Sequence, residues 1–498
     1  MSENYFNHIP CGQTLPVNNI HAVSVSMPNI QDVIDYEEQT PEILEVIKSG
    51  YPRFMLHPYL KELALYIKKK YKVNDTYEVV LLSSQRAVKL VSDKYYIHNK
   101  IEIDEPFGVI LVQNGTSQLQ RVLSYIQHVG CNLSSRLAEL YLFEKGLLKE
   151  LHKEELENKD DAKDIIISTL ANAYKQPCEN VHLAPSGMNA IYSVVRGINS
   201  IQARNGRTVL VQLGWLYLDT MNIVNHHYQE SKSFPHLDRL DLLEEYLKEE
   251  GLKVSAIITE LPTNPLLKCL DIKKLRELCD KYNIPLIIDT TFATPFNLDL
   301  TDYADIFVES LTKFACGNAD VLMGAIILNK KHPLSHMNWE FFKHCEPVYI
   351  KELQRLAYEI KNYEKRVKTI STNTKKLISY LENSKLIKKV YHCMDEENKE
   401  LYSQTIIDDN SYCGVISIEF TKPLTQTYDK LNFAKGPSLG TEFTLLMPYT
   451  YLAHYDLILT KEGRKHLEDV KLPIDLIRIS VGVEPIEEII NEFKKLEE

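Results

Sequence analysis

Between about residues 164 and 329 the apolar positions follow two alternating patterns. Met188, Ile191, Val194, Val195, Ile198 and Ile201 recur at intervals of three and four, which lays one apolar stripe along a helix, and the stripe stops at Asn205-Gly206, a helix-ending pair. Short apolar runs bounded by turn residues stand between such stripes. They predict strands at 207–212, 254–260, 284–289 and 305–310, and Ile272, Leu275, Cys279 and Tyr282 mark a further helix. Regular alternation of strand and helix brings successive strands side by side in one direction, so this stretch reads as α/β winding around a parallel sheet.

The flanks differ. Residues 1 to about 58 are rich in Asn, Pro and short polar runs with little periodicity, the pattern of an extended arm with one short helix. A helical stripe covers 59–71. Strands at 77–82 and 107–112 mix with helices over 76–165, an insertion ahead of the α/β winding that ends in the run KELHKEELENKDDAKD at 149–164, expected to be a solvated helix face or linker. After about 345 a long helical stretch, a strand at 414–420 and a last helix at 485–496 predict a smaller α+β domain. The chain thus divides into an arm (1–58), a large domain (59–345) and a C-terminal domain (346–498). Arg86, Arg121 and Arg136 are the insertion's candidates for an effector site, beside a purely structural role.

Charge narrows the function. Lys and Arg number 57 against 68 Asp and Glu, a net charge of -11, so the overall field repels polyanions and no nucleic-acid partner is expected. No run approaches the ~20 apolar residues of a membrane helix, and the opening residues lack the pattern of a secretory signal, so a cytoplasmic protein without a membrane partner is expected. The nine cysteines stand apart without metal-ligand spacing, so neither disulfides nor a metal is expected.

Neither GxGxxG nor GxxxxGK[ST] occurs, which leaves a nucleotide-binding reading with only the winding behind it. Asp289 closes a predicted strand at the carboxyl edge of the sheet, where ligands of such folds bind, and Ser310-Leu311-Thr312-Lys313 closes the next. Singly, these residues also suit a cap or a surface charge. Ala184-Pro185-Ser186-Gly187-Met188 opens the striped helix, whose first N–H groups suit a phosphate or serve an ordinary serine cap. Together they suit pyridoxal 5'-phosphate: a lysine to hold the aldehyde, a carboxylate for the pyridine nitrogen, hydroxyls and a helix start for the phosphate.

Ser186-Gly187-Met188-Asn189-Ala190, Asn264-Pro265-Leu266-Leu267-Lys268, Asp289 to Pro295, Ser310 to Lys313 and Arg478-Ile479-Ser480-Val481-Gly482 resemble, in order, the pyridoxal-phosphate-dependent Cys/Met metabolism (trans-sulfuration) family. The segments at 21–29, 50–54, 128–136 and 435–455 are similar to the long, fungal-type cystathionine gamma-synthases, so the resemblance spans nearly the whole chain. It implies fold type I, a mostly parallel seven-stranded sheet flanked by helices with a smaller α+β domain after it. It makes Lys313 the Schiff-base lysine, Asp289 the partner of the pyridine nitrogen, and Gly187, Met188, Ser310 and Thr312 the phosphate's ligands. Tyr217 would stack on the ring and assist proton transfer, Asn264 would touch the cofactor, and Arg478 with Ser438 would hold the substrate carboxylate. Tyr51 and Arg53 would reach a neighbouring subunit's phosphate site, in a homodimer or homotetramer with shared active sites.

The implied reaction is γ-replacement of an activated homoserine by cysteine to give cystathionine. The same anchors serve cystathionine lyases and O-acylhomoserine sulfhydrylases, and a non-catalytic scaffold is the reading from another class. Departures stand at Glu309 and Asn318, where many relatives carry His, and at Thr290, where Asn is common. Pro437 replaces a glutamate on the side that recognises the leaving group or incoming amino acid, which puts substrate identity in question and leaves the cofactor anchors intact.

Overall fold

The structure is a computed structural model that describes residues 5–47, 50–51, 55–103 and 105–497. Its central sheet has seven strands in the order Val181–Ala184, Gly324–Leu328, Ile306–Ser310, Leu286–Asp289, Val254–Glu260, Val209–Leu213 and Glu230–Phe234. Only Gly324–Leu328 runs against its neighbours. This is the mostly parallel sheet of fold type I. Its middle strands are apolar along their length because both faces are covered. Ile258, Ile287 and Val308 pack with Ile191, Val194 and Ile198 on one face, while Ile257, Ile288 and Phe307 pack with Ile166, Leu243 and Leu275 on the other. The striped helix spans Gly187–Gln202 and ends through a short 3-10 turn at Gly206, whose φ of 72° is the left-handed conformation a glycine takes without strain.

The insertion forms a three-stranded antiparallel sheet of Tyr77–Leu82, Gly108–Gln113 and Lys100–Ile101. It is no separate body: Val80, Leu82, Ile110 and Val112 share a core with Ile191 and Val194 of the large sheet's helix. Two of its arginines are structural. Arg86 donates to Glu346 and to the carbonyls of Lys343 and His344. Buried Arg136 donates to Glu154 at 2.6 and 2.8 Å, to Glu352 at 2.6 Å and to the Asp320 carbonyl at 2.8 Å. The charged run at 149–164 is therefore only partly solvated, and its helix begins at Ala162. Glu154 is drawn inward because a guanidinium buried without counter-charge is costly.

The C-terminal sheet has the order Ile387–Tyr391, Val415–Phe420, Ile477–Ser480, Leu445–Pro448 and Ala434–Lys435, flanked by helices that include Tyr363–Leu381 and Ile486–Lys494. The arm lies against this sheet and the loops beside it. Met27 N–H donates to the Lys435 carbonyl at 2.9 Å and Val23 N–H to that of Ala319 at 2.7 Å. Ser24 Oγ donates to the Pro437 carbonyl at 2.6 Å, and Tyr428 Oη to that of Met27 at 3.0 Å. Among the described residues no helix is long and apolar enough to cross a membrane.

Candidate active site

Three adjacent strands of the large sheet end at one edge, and each brings a carboxylate there. Asp289 pairs in register with Glu260 on one side and Val308 on the other, with Glu309 next along that strand. This edge floors a cleft with an empty volume of about 1140 Å³, including its open mouth, whose lining contains Tyr51, Gly187, Met188, Tyr217, Asn264, Asp289, Ser310, Thr312, Lys313, Ser438 and Arg478. All the described residues singled out for the site thus come to one cavity, Tyr51 among them, although it was expected at a neighbouring subunit's phosphate site and instead lines the cleft of its own chain. Arg53 lies outside the described residues.

Ser186 caps the helix that starts at Gly187, its Oγ accepting from Asn189 N–H at 3.0 Å. The first N–H groups of a helix have no partner within it, so Gly187 and Met188 offer theirs at the cleft. A Cβ placed on Gly187 would lie 2.9 Å from Ser310 Cβ and 3.1 Å from Ser310 Oγ. Only glycine lets the helix start approach the strand end so closely, and the result is a small cradle of N–H and hydroxyl groups suited to an anion. Ser310 N–H donates to Thr291 Oγ1 at 2.9 Å. Thr312 Oγ1 accepts from Met323 N–H at 3.1 Å, which holds that hydroxyl beside the lysine.

Lys313 Nζ donates to Ser438 Oγ at 2.9 Å and sits 4.8 Å from the Tyr51 ring centroid. Burial, and after it the positive charge of Arg478, push its amine down to about 7. A substantial fraction is then neutral near physiological pH, as a nucleophile or base requires. Arg478 is itself buried, and its Nη1 donates to Asn264 Oδ1 at 3.0 Å and its Nη2 to the Ser438 carbonyl at 2.8 Å. Its guanidinium stands 5.4 Å from the Tyr449 ring centroid. Asn264 also donates to Tyr449 Oη at 3.3 Å, so the asparagine orients the arginine from one side while Ser438 links arginine and lysine.

Asp289 accepts from Thr291 N–H at 2.9 Å, and burial raises its pKa. Two carboxylates beside it carry no role in the sequence reading. Glu260 accepts from the backbone N–H of Tyr217 at 2.6 Å and of Asn264 at 3.3 Å, and burial followed by the charge of Asp289 pushes it up to about 8. It fixes the backbone of both residues, and its one signal was a carboxylate at a strand end, as at Asp289. Glu309 accepts from Tyr174 Oη and Tyr363 Oη, each at 2.6 Å, and burial pushes it up to about 7. Asn318 donates to Glu359 Oε1 at 2.9 Å.

The residues present fit pyridoxal 5'-phosphate. The cradle at Gly187 and Ser310 admits a phosphate, Lys313 offers a buried amine, and Asp289 offers a carboxylate for a pyridine nitrogen.

Over residues 166–496 the chain matches the model of the Cys/Met metabolism PLP-dependent enzyme family. It is 35% identical over 483 residues to the L-2-amino-4-chloropent-4-enoate dechlorinase/desaturase of Streptantibioticus cattleyicolor, covering 96% of each chain. It is 26% identical to the cystathionine gamma-synthase of Neurospora crassa over 97% of each chain. The structure of cystathionine gamma synthase from Xanthomonas oryzae superposes with a TM-score of 0.58 at 17% identity, covering 67% of this chain and 84% of that one, and supports the fold.

Proposed function

The chain belongs to the Cys/Met metabolism PLP-dependent enzyme family, and from that premise we propose that it replaces the γ-substituent of an O-activated homoserine with cysteine, giving cystathionine. Pyridoxal 5'-phosphate, when bound, supplies the electron sink that makes the α-proton of an amino acid acidic. The reading is carried by one observation: a buried lysine amine, the Asp289 carboxylate and a buried, pre-oriented arginine line one cleft, with Ser438 bonded to both lysine and arginine.

Each side chain has a task that its surroundings allow. Arg478, fixed by Asn264 and the Ser438 carbonyl, grips the substrate carboxylate through its planar fork. Lys313 Nζ, once free, takes the α-proton as general base and passes protons at the β-carbon, with Ser438 Oγ as the group that fixes its position. Gly187 and Met188 N–H groups and Ser310 Oγ hold the phosphate. Thr312, tied to Met323, keeps the strand end beside Lys313 in place. Tyr217, whose backbone is held by Glu260, covers the ring and assists the incoming thiol or amine. Tyr51 closes the cleft beside the lysine. We also propose that the protein works as a homo-oligomer in the cytoplasm.

A second reading, loss of the γ-substituent without an incoming thiol, is favoured by Pro437, which offers no carboxylate to a second amino acid's ammonium group, and by the likeness to a dechlorinase/desaturase. Incubation with O-acetyl-, O-succinyl- or O-phosphohomoserine, each with and without cysteine, and with cystathionine or 2-amino-4-chloropent-4-enoate alone, separates the two. Cystathionine formation faster than its breakdown supports replacement. Keto-acid or halide release that is indifferent to cysteine overturns replacement in favour of elimination.

A further inference from the structure

The sheet edge carries more carboxylate than one pyridine nitrogen needs, and Glu309 is the member bound most closely by hydroxyls. Tyr174 and Tyr363, which flank it, are both buried. Tyr363 Oη donates to Glu309 Oε1, while Tyr174 Oη lies 2.6 Å from Glu309 Oε2 and also 2.6 Å from Thr290 Oγ1. Thr290 adjoins Asp289 in the chain, and its Oγ1 donates to the Val308 carbonyl at 3.3 Å.

This geometry satisfies two protonation states without moving a heavy atom. With Glu309 ionised, both phenols donate to it and Thr290 Oγ1 donates to Tyr174 Oη, while the Val308 carbonyl keeps the Thr290 N–H at 3.0 Å. With a proton on Oε2, Glu309 donates to the Tyr174 oxygen, Tyr174 turns its hydrogen to Thr290 Oγ1, and Thr290 Oγ1 turns its own to the Val308 carbonyl. In both states no buried hydroxyl or carboxyl oxygen loses its partner. A buried acid whose two forms are equally well bonded changes its charge at little structural cost.

We propose that Glu309 is a positioning residue of the cofactor site that stores a proton while Asp289 faces no cation and releases it when the cationic pyridine ring docks against Asp289. The proton passes to buffer, and no other bond forms or breaks. Tyr174 at the end of the helix Ala162–Ala173 and Tyr363 on the helix Tyr363–Leu381 face Glu309, whereas Asp289, in register with Val308 and so on the other face of the sheet, acts on it through charge alone. Arg366, which acts on Tyr363, is itself bonded to Glu442 at 2.9 Å and to the Phe314 carbonyl at 2.9 Å. Glu260 lies beyond Asp289, and Lys313 and Arg478 line the same cleft. Burial first and the Asp289 charge last raise Glu309 to about 7, so a cation at Asp289 removes part of that push. The proposal concerns cofactor docking and holds whichever γ-substituent leaves.

The test uses the full chain freed of cofactor and 4-deoxypyridoxine 5'-phosphate, which lacks the aldehyde and so leaves the lysine amine unmodified. Calorimetry near pH 7 in two buffers of different ionisation enthalpy counts protons released on binding. The parent releases more than E309Q, and the ratio of their affinities rises between pH 6 and 8, by at most about tenfold for a group near 7. Equal proton release by the two proteins, or a ratio independent of pH, overturns the proposal. Y363F serves if E309Q does not fold: losing a phenol that only donates favours the protonated acid and moves the rise to higher pH, and an unmoved rise overturns the proposal.

Discussion

Gly187→Ala tests the cradle directly. The added Cβ would stand 2.9 Å from Ser310 Cβ, 3.1 Å from its Oγ and 3.2 Å from its Cα, where ordinary contact begins at 3.4 Å. Neither side yields easily. Gly187 begins a helix capped by Ser186, and Ser310 ends a strand paired on both sides and tied to Thr291. The two must part by about 0.5 Å, which stretches a phosphate hydrogen bond from about 2.9 Å to the limit at which such bonds still count. Each charge-assisted bond contributes about 1.5–3 kcal/mol, so weakening two costs about 2–4 kcal/mol. That corresponds to about 30- to 1000-fold weaker binding of pyridoxal 5'-phosphate. The assay is an absorbance titration of cofactor-free protein, with circular dichroism and thermal unfolding to confirm the fold. A folded Gly187→Ala protein that binds within threefold of the parent refutes the reasoning.

Arg136→Gln leaves Glu352 buried without its cation and Glu154 with only Arg355, at 3.8 Å, and destabilises the chain by about 3–5 kcal/mol in urea unfolding. Asp320 supplies the pH signature. Burial acts to raise its carboxyl, but Arg136 and Arg355 outweigh burial and hold it below the usual aspartate range. The unfolded chain therefore binds that proton at higher pH than the folded one. The stability is present above the ordinary aspartate value and is lost as pH falls through the folded value, a dependence that Arg136→Gln should flatten. Lys313 behaves oppositely. Its amine loses its proton near 7 when folded and near 10.5 when unfolded, so cofactor-free protein gains stability as pH rises across that window. Attachment of pyridoxal 5'-phosphate to Lys313 should likewise reach its plateau just above pH 7, and Arg478→Leu should move the midpoint upward; a parental midpoint above 9 contradicts the burial argument.

The site was legible where chemistry follows chain order. Asp289 and Lys313 each close an apolar run, and Ser186-Gly187 opens a striped helix, so local pattern alone takes all three to one sheet edge. What pattern could not supply were partners distant in the chain. Glu309 stood out only as a departure from relatives, because the tyrosines that bond it lie 135 and 54 residues away on two separate helices. Glu154 looked solvated within a charged run, since nothing nearby announces that Arg136, 18 residues earlier, is buried. Asn264 read as a turn or a cofactor contact, and its bonds to Arg478 and Tyr449, 214 and 185 residues away, had no local signal. Strand ends and helix starts are local properties of sequence; charge pairing across layers is not.

The hydrogen bonds that join the arm to the opposite end of the chain bear on how the protein is made. Tyr428 meets Met27 across 401 residues and Ser24 meets Pro437 across 413. At roughly 5–20 residues per second on the ribosome, the arm waits about 20–80 s for the partners that cover Val25 and Met27. Until then those side chains stay available to chaperones and to other nascent chains, and a slower ribosome lengthens that exposure in proportion.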